Sequence, residues 1–240
     1  MKITKREVLF SIVIIALFLM GGLSISSKIS DHILDNNQKY NKAVKIEDKE
    51  LFQYGMDTNA GNAFVYGKLE TVDPVTFQEI GGKYMYVKKT KEKYTRHTRT
   101  VTYRDANGHS RTRTETYWSW DYVGEETKNA KQIKFNGIVF DYGKIDRPSA
   151  DYIDTIKESS HIRYVYYGTP TTFEGTVFTD LRDGTISDET DFYADKTLEE
   201  THEMLVHRGN GYIIAFWFGW IVLMAVALYG FYALENRWLE

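Results

Sequence analysis

No cysteine occurs in the 240 residues, which excludes disulfides, thiolate metal sites and thiol nucleophiles together. Other catalytic signatures are missing as well. There is no Gly-x-Ser-x-Gly, no phosphate-binding loop and no dinucleotide fingerprint. The histidines at 32, 97, 109, 161, 202 and 207 include no pair at the i,i+4 spacing of a helical metal site. His97 and His109 could meet across a hairpin, but two imidazoles alone make a weak ligand set. Asp180–Glu189 looks like a calcium loop until it is aligned on Gly184. Thr179 and Leu181 then stand where carboxylates belong, and Thr190 where the bidentate Glu is required. No cofactor, metal site or catalytic residue is expected.

Charge is missing from two stretches. Tyr212–Ala233 holds 22 residues without one charged side chain, and Val8–Ile25 is interrupted only by Ser11, Ser24, Gly21 and Gly22. At about 1.5 Å per residue each can cross a hydrocarbon core of roughly 30 Å as a helix. A core helix seldom stays apolar on every face for so long. Lys2, Lys5 and Arg6 precede the first run and place the N-terminus in the cytoplasm by the positive-inside rule. A cleaved signal peptide is the competing reading, but no Ala-x-Ala site follows and the run is long for one. The expected order is a basic lead (1–7), a span (8–25), a stalk helix and linker (26–58), a β-rich domain (59–194), a connecting helix and hinge (195–211), a second span (212–233) and a cytoplasmic tail (234–240). Residues 26–211 then lie outside the cytoplasm of an integral cell-membrane protein.

Between the spans, Ile29, Ile33, Tyr40 and Val44 form a narrow helical stripe. A short helix is expected at Asp48–Tyr54, another at Asp151–Glu158, and a third from the capping box Thr197-Leu198-Glu199-Glu200 to about His207. Strands dominate the rest. Eighteen Tyr and an aromatic share of 15% favour half-buried pleated surfaces. Asp105-Ala106-Asn107-Gly108 separates two alternating runs, which predicts a long hairpin at Lys93–Trp120. Further strands are expected at Ala63–Leu69, Ile133–Phe140, Ile162–Tyr167, Phe173–Phe178 and Thr185–Ser187, with Asp183-Gly184 as a turn. The fold class is a membrane-anchored α+β protein whose β-rich domain is an open barrel, or small sheets with a long hairpin.

The segments Gly67-Lys68-Leu69, Pro74-Val75-Thr76-Phe77, Tyr84-Met85-Tyr86-Val87 and Tyr117-Trp118-Ser119-Trp120 give roughly residues 60–145 a resemblance to a known arrangement. It resembles the β-rich, membrane-adjacent domain of LUMA-type nuclear-envelope proteins and of mitochondrial membrane-anchored ubiquitin ligases. The RING of those ligases cannot exist without cysteine. The resemblance therefore implies a membrane-adjacent scaffold or interaction domain, and no catalytic residue.

The whole chain carries −3, but its charge is uneven. Between Lys83 and Arg113 ten cations face only Glu92 and Asp105, a local +8. The candidate binding residues are Lys88, Lys89, Lys91, Lys93, Arg96, Arg99, Arg104, Arg111 and Arg113. Such a cluster focuses potential along one projection, suited to anionic lipid, phosphate-rich wall polymer or an acidic protein. The same charges would also keep a ribbon edge from aggregating. Nucleic acid is not expected, because the location is extracytoplasmic and the aromatics do not alternate as a stacking platform. A non-enzymatic binding or scaffold module is the expected function. A small subunit of a larger membrane complex, suggested by Gly219, Ala225, Ala227 and Gly230, is the alternative, and a membrane-bound hydrolase a weaker one.

Overall fold

The computed structural model describes residues 5–238, with side chains described for 6–235. In chain order its elements are α1 (Lys5–Asn41), β1 (Val44–Ile46), α2 (Lys49–Asp57) and β2 (Gly61–Thr71). There follow β3 (Tyr86–Arg104), β4 (Ser110–Asn129), β5 (Gln132–Phe135) and β6 (Ile138–Asp141). After one 3-10 turn come β7 (Asp151–Lys157), β8 (Ile162–Thr169), β9 (Thr172–Leu181) and β10 (Phe192–Ala194). The chain ends in α3 (Leu198–His207) and α4 (Asn210–Trp238). Contacts divide it into a helical unit, 1–44 with 199–240, and a β unit, 45–198.

In the helical unit the first apolar run and Ile29, Ile33 and Tyr40 of the stripe beyond it form the single helix α1, whereas Val44, expected in the same stripe, begins the strand β1. Two helices, within Arg6–Asn41 and Leu198–Glu235, are long and apolar enough to cross a membrane. They pair antiparallel: Arg6 lies 3.7 Å from Glu235, and the Ser11 hydroxyl donates to Tyr232 at 2.9 Å. Further along, the Trp220 indole donates to the Phe18 carbonyl at 2.9 Å and the Trp217 indole to Ser26 at 3.2 Å. Gly22 makes this approach possible, since a Cβ there would stand 2.6 Å from the Trp220 indole nitrogen.

Two antiparallel sheets build the β unit. The first runs β10-β9-β2-β5-β6, with β1 also on β2; the second runs β4-β3-β8-β7. Ala63, Val65 and Leu69 recur at even spacing along β2 and enter the main core with Val177, Ile133 and Phe135. Asp48 caps α2 by accepting from the amides of Glu50 at 2.7 Å and Leu51 at 3.0 Å. One turn apart, Phe52 and Met56 are buried in that core, and Phe52 meets Phe135 edge-on with centroids 5.9 Å apart. The second sheet has a smaller cluster of Phe77, Val87 and Tyr166.

Several local expectations need correction. Asp151–Glu158 is not a helix but the edge strand β7. Ile153 and Ile156 imitate an i,i+3 helical pair, yet a bulge between Tyr152 and Asp154 puts both against the Phe77 cluster. Ile133–Phe140 is two strands, because Asn136 and Gly137, both at positive φ, turn the chain between β5 and β6. Thr185–Ser187 forms no strand; Ile186 is buried in the main core from a loop. The β-rich unit is two sheets with a long hairpin rather than a barrel.

Candidate functional site

The hairpin β3–β4 is longer than its alternating sequence implied, and its two parts differ. From Tyr86 to Lys93, β3 lies between β4 and β8 inside the second sheet. The Lys93–Ile162 pair is the last in that register, and Tyr94 adds a backbone bond to His161. Farther out, β3 and β4 pair only with each other up to Arg104–Ser110. The loop between them is held by Asp105, whose carboxylate accepts from the amides of Asn107 and His109, both at 3.0 Å, and from Arg111 at 2.8 Å. These bonds, first of all that from Arg111, hold its pKa below the usual Asp value. The turn is thus a five-residue loop around Asp105 rather than a two-residue Asn-Gly turn.

The expected binding residues separate along this boundary. Lys88, Lys89 and Lys91 belong to the embedded part. The Lys89 side chain is only 19% exposed, its ammonium 2.6 Å from Glu79 and 4.5 Å from the Tyr164 ring centroid. The bond to Glu79 raises the Lys89 pKa and lowers that of Glu79. Lys88 stands 5.3 Å from the Tyr167 ring centre and Lys91 5.7 Å from that of Tyr164. Lys93 is exposed where the sheet ends. Arg96, Arg99, Arg104, Arg111 and Arg113 are on the two-stranded ribbon and exposed.

Carboxylates temper these cations. Glu115 accepts from Arg113 at 2.6 Å and Arg99 at 3.0 Å, which lowers its pKa. The +8 count stopped at Arg113, just before the acids of β4. Over Tyr86–Asn129 ten cations face six carboxylates, +4, and over residues 94–121 five arginines face three, +2.

Opposed residues share a face and successive residues alternate, so the register assigns two faces to the ribbon. One carries Tyr94, Arg96, Thr98, Thr100, Thr102 and Arg104, opposite Trp120, Trp118, Thr116, Thr114, Thr112 and Ser110. Tyr94 stacks on Trp118 with centroids 5.3 Å apart and rings inclined by 20°, and Trp120 lies 5.1 Å from it. Arg163, 2.6 Å from Glu92, covers Trp120 at 4.4 Å. Trp118 remains 49% exposed. The expectation that the hairpin has no aromatic platform therefore fails, because pairing joins rings 24 and 26 residues apart in sequence.

The other face carries a cluster that the sequence reading missed. Asp121 accepts from Thr95 and, at 2.9 Å, from Ser119, and lies 2.7 Å from His97 Nε2. A hydroxyl, an imidazole and a carboxylate invite comparison with an acyl-transfer triad, but the geometry disagrees. A triad's imidazole relays between its two nitrogens, whereas here one nitrogen, Nε2, meets both Asp121 and, at 3.0 Å, Thr95. His97 also stacks on Tyr117 at 5.3 Å, and the register sets it opposite Tyr117, not His109. The spacing Thr95/His97 and Ser119/Asp121 was the available signal, but it needed the register. Among the described residues, no three His, Asp or Glu side chains are grouped as a metal site. Set against protein-family models, curated proteins and solved structures, the chain matches none.

Proposed function

We propose that this chain is a membrane-anchored binding protein whose ribbon engages a phosphate-rich wall polymer outside the cytoplasm. In this reading α1 and α4 cross the membrane as an antiparallel pair, both termini are cytoplasmic, and residues 45–198 form a non-enzymatic module. The basic lead Lys2, Lys5 and Arg6 supports the orientation. The observation that carries the function is the single ribbon face that holds Tyr94 and the half-exposed Trp118 beside Arg96 at its base and six threonines and Arg104 along its length. Guanidinium groups bind phosphate oxygens in a bidentate fork. Flat rings take the C–H faces of sugar or polyol units, and hydroxyls hydrogen-bond to them. A lipid surface would sense mainly charge, and the ribbon's net +2 is small for that.

The test uses the full chain in nanodiscs of zwitterionic lipid and an immobilised polyol-phosphate polymer across a salt series. Trp118→Ala should weaken binding about threefold to tenfold without changing its salt dependence. Joint replacement of Arg96 and Arg104, the two arginines of this face, by Gln should weaken it by about tenfold and flatten the salt dependence. Binding indifferent to both changes would remove the ribbon from the function. A second reading, a subunit of a larger membrane assembly, is favoured by Gly219 and Gly230, where a Cβ would meet no atom within 4 Å. Crosslinking from these positions in native membranes to another protein would support it.

A further inference from the structure

The helical unit contains a groove that the ribbon reading leaves unused. It measures about 1010 Å³ and lies between the second half of α1 and the α3–α4 junction. Ile25, Ile29, Ile33, Leu205 and Phe216 give it apolar walls, and Lys28, Lys39 and Arg208 bring three cations. No Asp or Glu lines it, although Asp31 and Asp35 lie on the same helix.

Packing holds the groove open without a ligand. Gly209 lets α1 approach, since a Cβ there would stand 2.6 Å from the Ile33 side chain. The buried Asn37 donates its amide to the Val206 carbonyl at 2.9 Å, fixing α1 against α3. The Trp217–Ser26 bond ties the helices together at the apolar end. A cleft so braced need not be ordered by its occupant, which favours binding.

We propose that this groove holds one anionic membrane phospholipid, with acyl chains along Ile25, Ile29 and Phe216 and phosphate between Lys28 and Arg208, while Lys39 adds positive charge about 16 Å farther along α1. The inference rests on the reading that α1 and α4 cross a membrane. The groove then begins where the apolar runs end, at the depth of lipid headgroups. Apolar area alone would suit any amphiphile or a partner helix. Three cations with no lining carboxylate select a negative headgroup.

The test begins with alkaline extraction of native membranes. Release of the protein would overturn the membrane reading itself, separately from the groove. The retained full chain is then moved into mixed micelles with equal phosphatidylglycerol and phosphatidylcholine, and bound lipid is counted by native mass spectrometry. One phosphatidylglycerol should remain, preferred over phosphatidylcholine by about tenfold. Lys28→Gln with Arg208→Gln should erase that preference and leave the melting temperature unchanged, because both side chains are exposed. Ile29→Trp, which narrows the apolar end of the groove, should weaken retention of either lipid. Equal retention of the two lipids by the native chain, or a preference that survives the double substitution, would overturn the proposal.

Discussion

The first sheet closes around fourteen buried residues, with Phe52 of α2 wedged against Phe135 and Phe140. The second sheet has three fully buried residues in its cluster, Phe77, Val87 and Tyr166, and its longest hairpin continues past the sheet as two strands. The same unit thus concentrates apolar burial in one sheet and exposed, chemically varied surface in the other. Burial sets stability because transfer from water scales with apolar area. A two-stranded ribbon on its own is marginal in water. Its embedded base supplies the order: Val87 has no exposure, and Lys89 is pinned between Glu79 and the rings of Phe77, Tyr164 and Tyr166.

Core substitutions are the strongest way to break this comparison. Phe135→Ala should cost about 3–5 kcal/mol and Phe77→Ala about 2–3 kcal/mol, because the site under a loop can collapse more fully. Denaturant unfolding of the full chain in micelles measures both. Equal costs would show that the second sheet is as tightly packed as the first.

A middle-sized effect belongs to Asp73, whose carboxylate accepts from the amides of Lys131 at 2.8 Å and Gln132 at 2.9 Å. These bonds, chiefly that from Gln132, hold its pKa below the ordinary value. Asp73→Ala should cost about 1–2 kcal/mol at neutral pH. A depressed carboxyl stabilises the fold above its unfolded pKa of about 4, and that contribution is lost as pH falls through the lower folded value. The gap between native and variant stability should therefore narrow below about pH 4. A gap that is constant, or widens on acidification, would refute the assignment.

The smallest effect is expected at the ribbon tip. Asp105→Ala removes the acceptor of the Asn107 and His109 amides and the partner of Arg111. Amide exchange around residues 105–110 should quicken, while the melting temperature moves by less than about 2 °C. A larger shift would mean that the ribbon contributes to the stability of the unit after all.

Much of this architecture was legible in advance, for reasons specific to each element. The two long helices announce themselves by missing charge, and α2 matches the short helix expected at Asp48–Tyr54, with Asp48 as its cap and its end at Asp57. The hairpin is visible in its alternation around Asn107-Gly108. β7 was not legible, because a bulge reverses the meaning of the Ile153–Ile156 spacing. The turn at Asn136-Gly137 carried the signal already used at Asn107-Gly108 and passed unnoticed within one apolar run. The +8 hairpin was a correct count of residues but a poor guide to local potential, since β4 returns with Glu115 between Arg99 and Arg113, Asp121 opposite Lys93, and Glu125 and Glu126 opposite Thr90 and Lys89.

By itself the sequence determined most helical and strand segments, with β7, the β5–β6 turn and the loop at Thr185–Ser187 as exceptions, and the overall distribution of charge, since each depends on neighbours within a few residues. Only the tertiary structure decided which groups meet. The Tyr94–Trp118 stack, the Glu115 carboxylate shared by Arg99 and Arg113, and the His97–Asp121 contact all follow from one strand register. The cationic groove likewise exists because Gly209 and Asn37 bring α3 and α4 onto α1 across about 170 residues of sequence. Register and helix contact are cooperative choices among many pairings, with energies set by packing over the whole unit, and no local pattern encodes them.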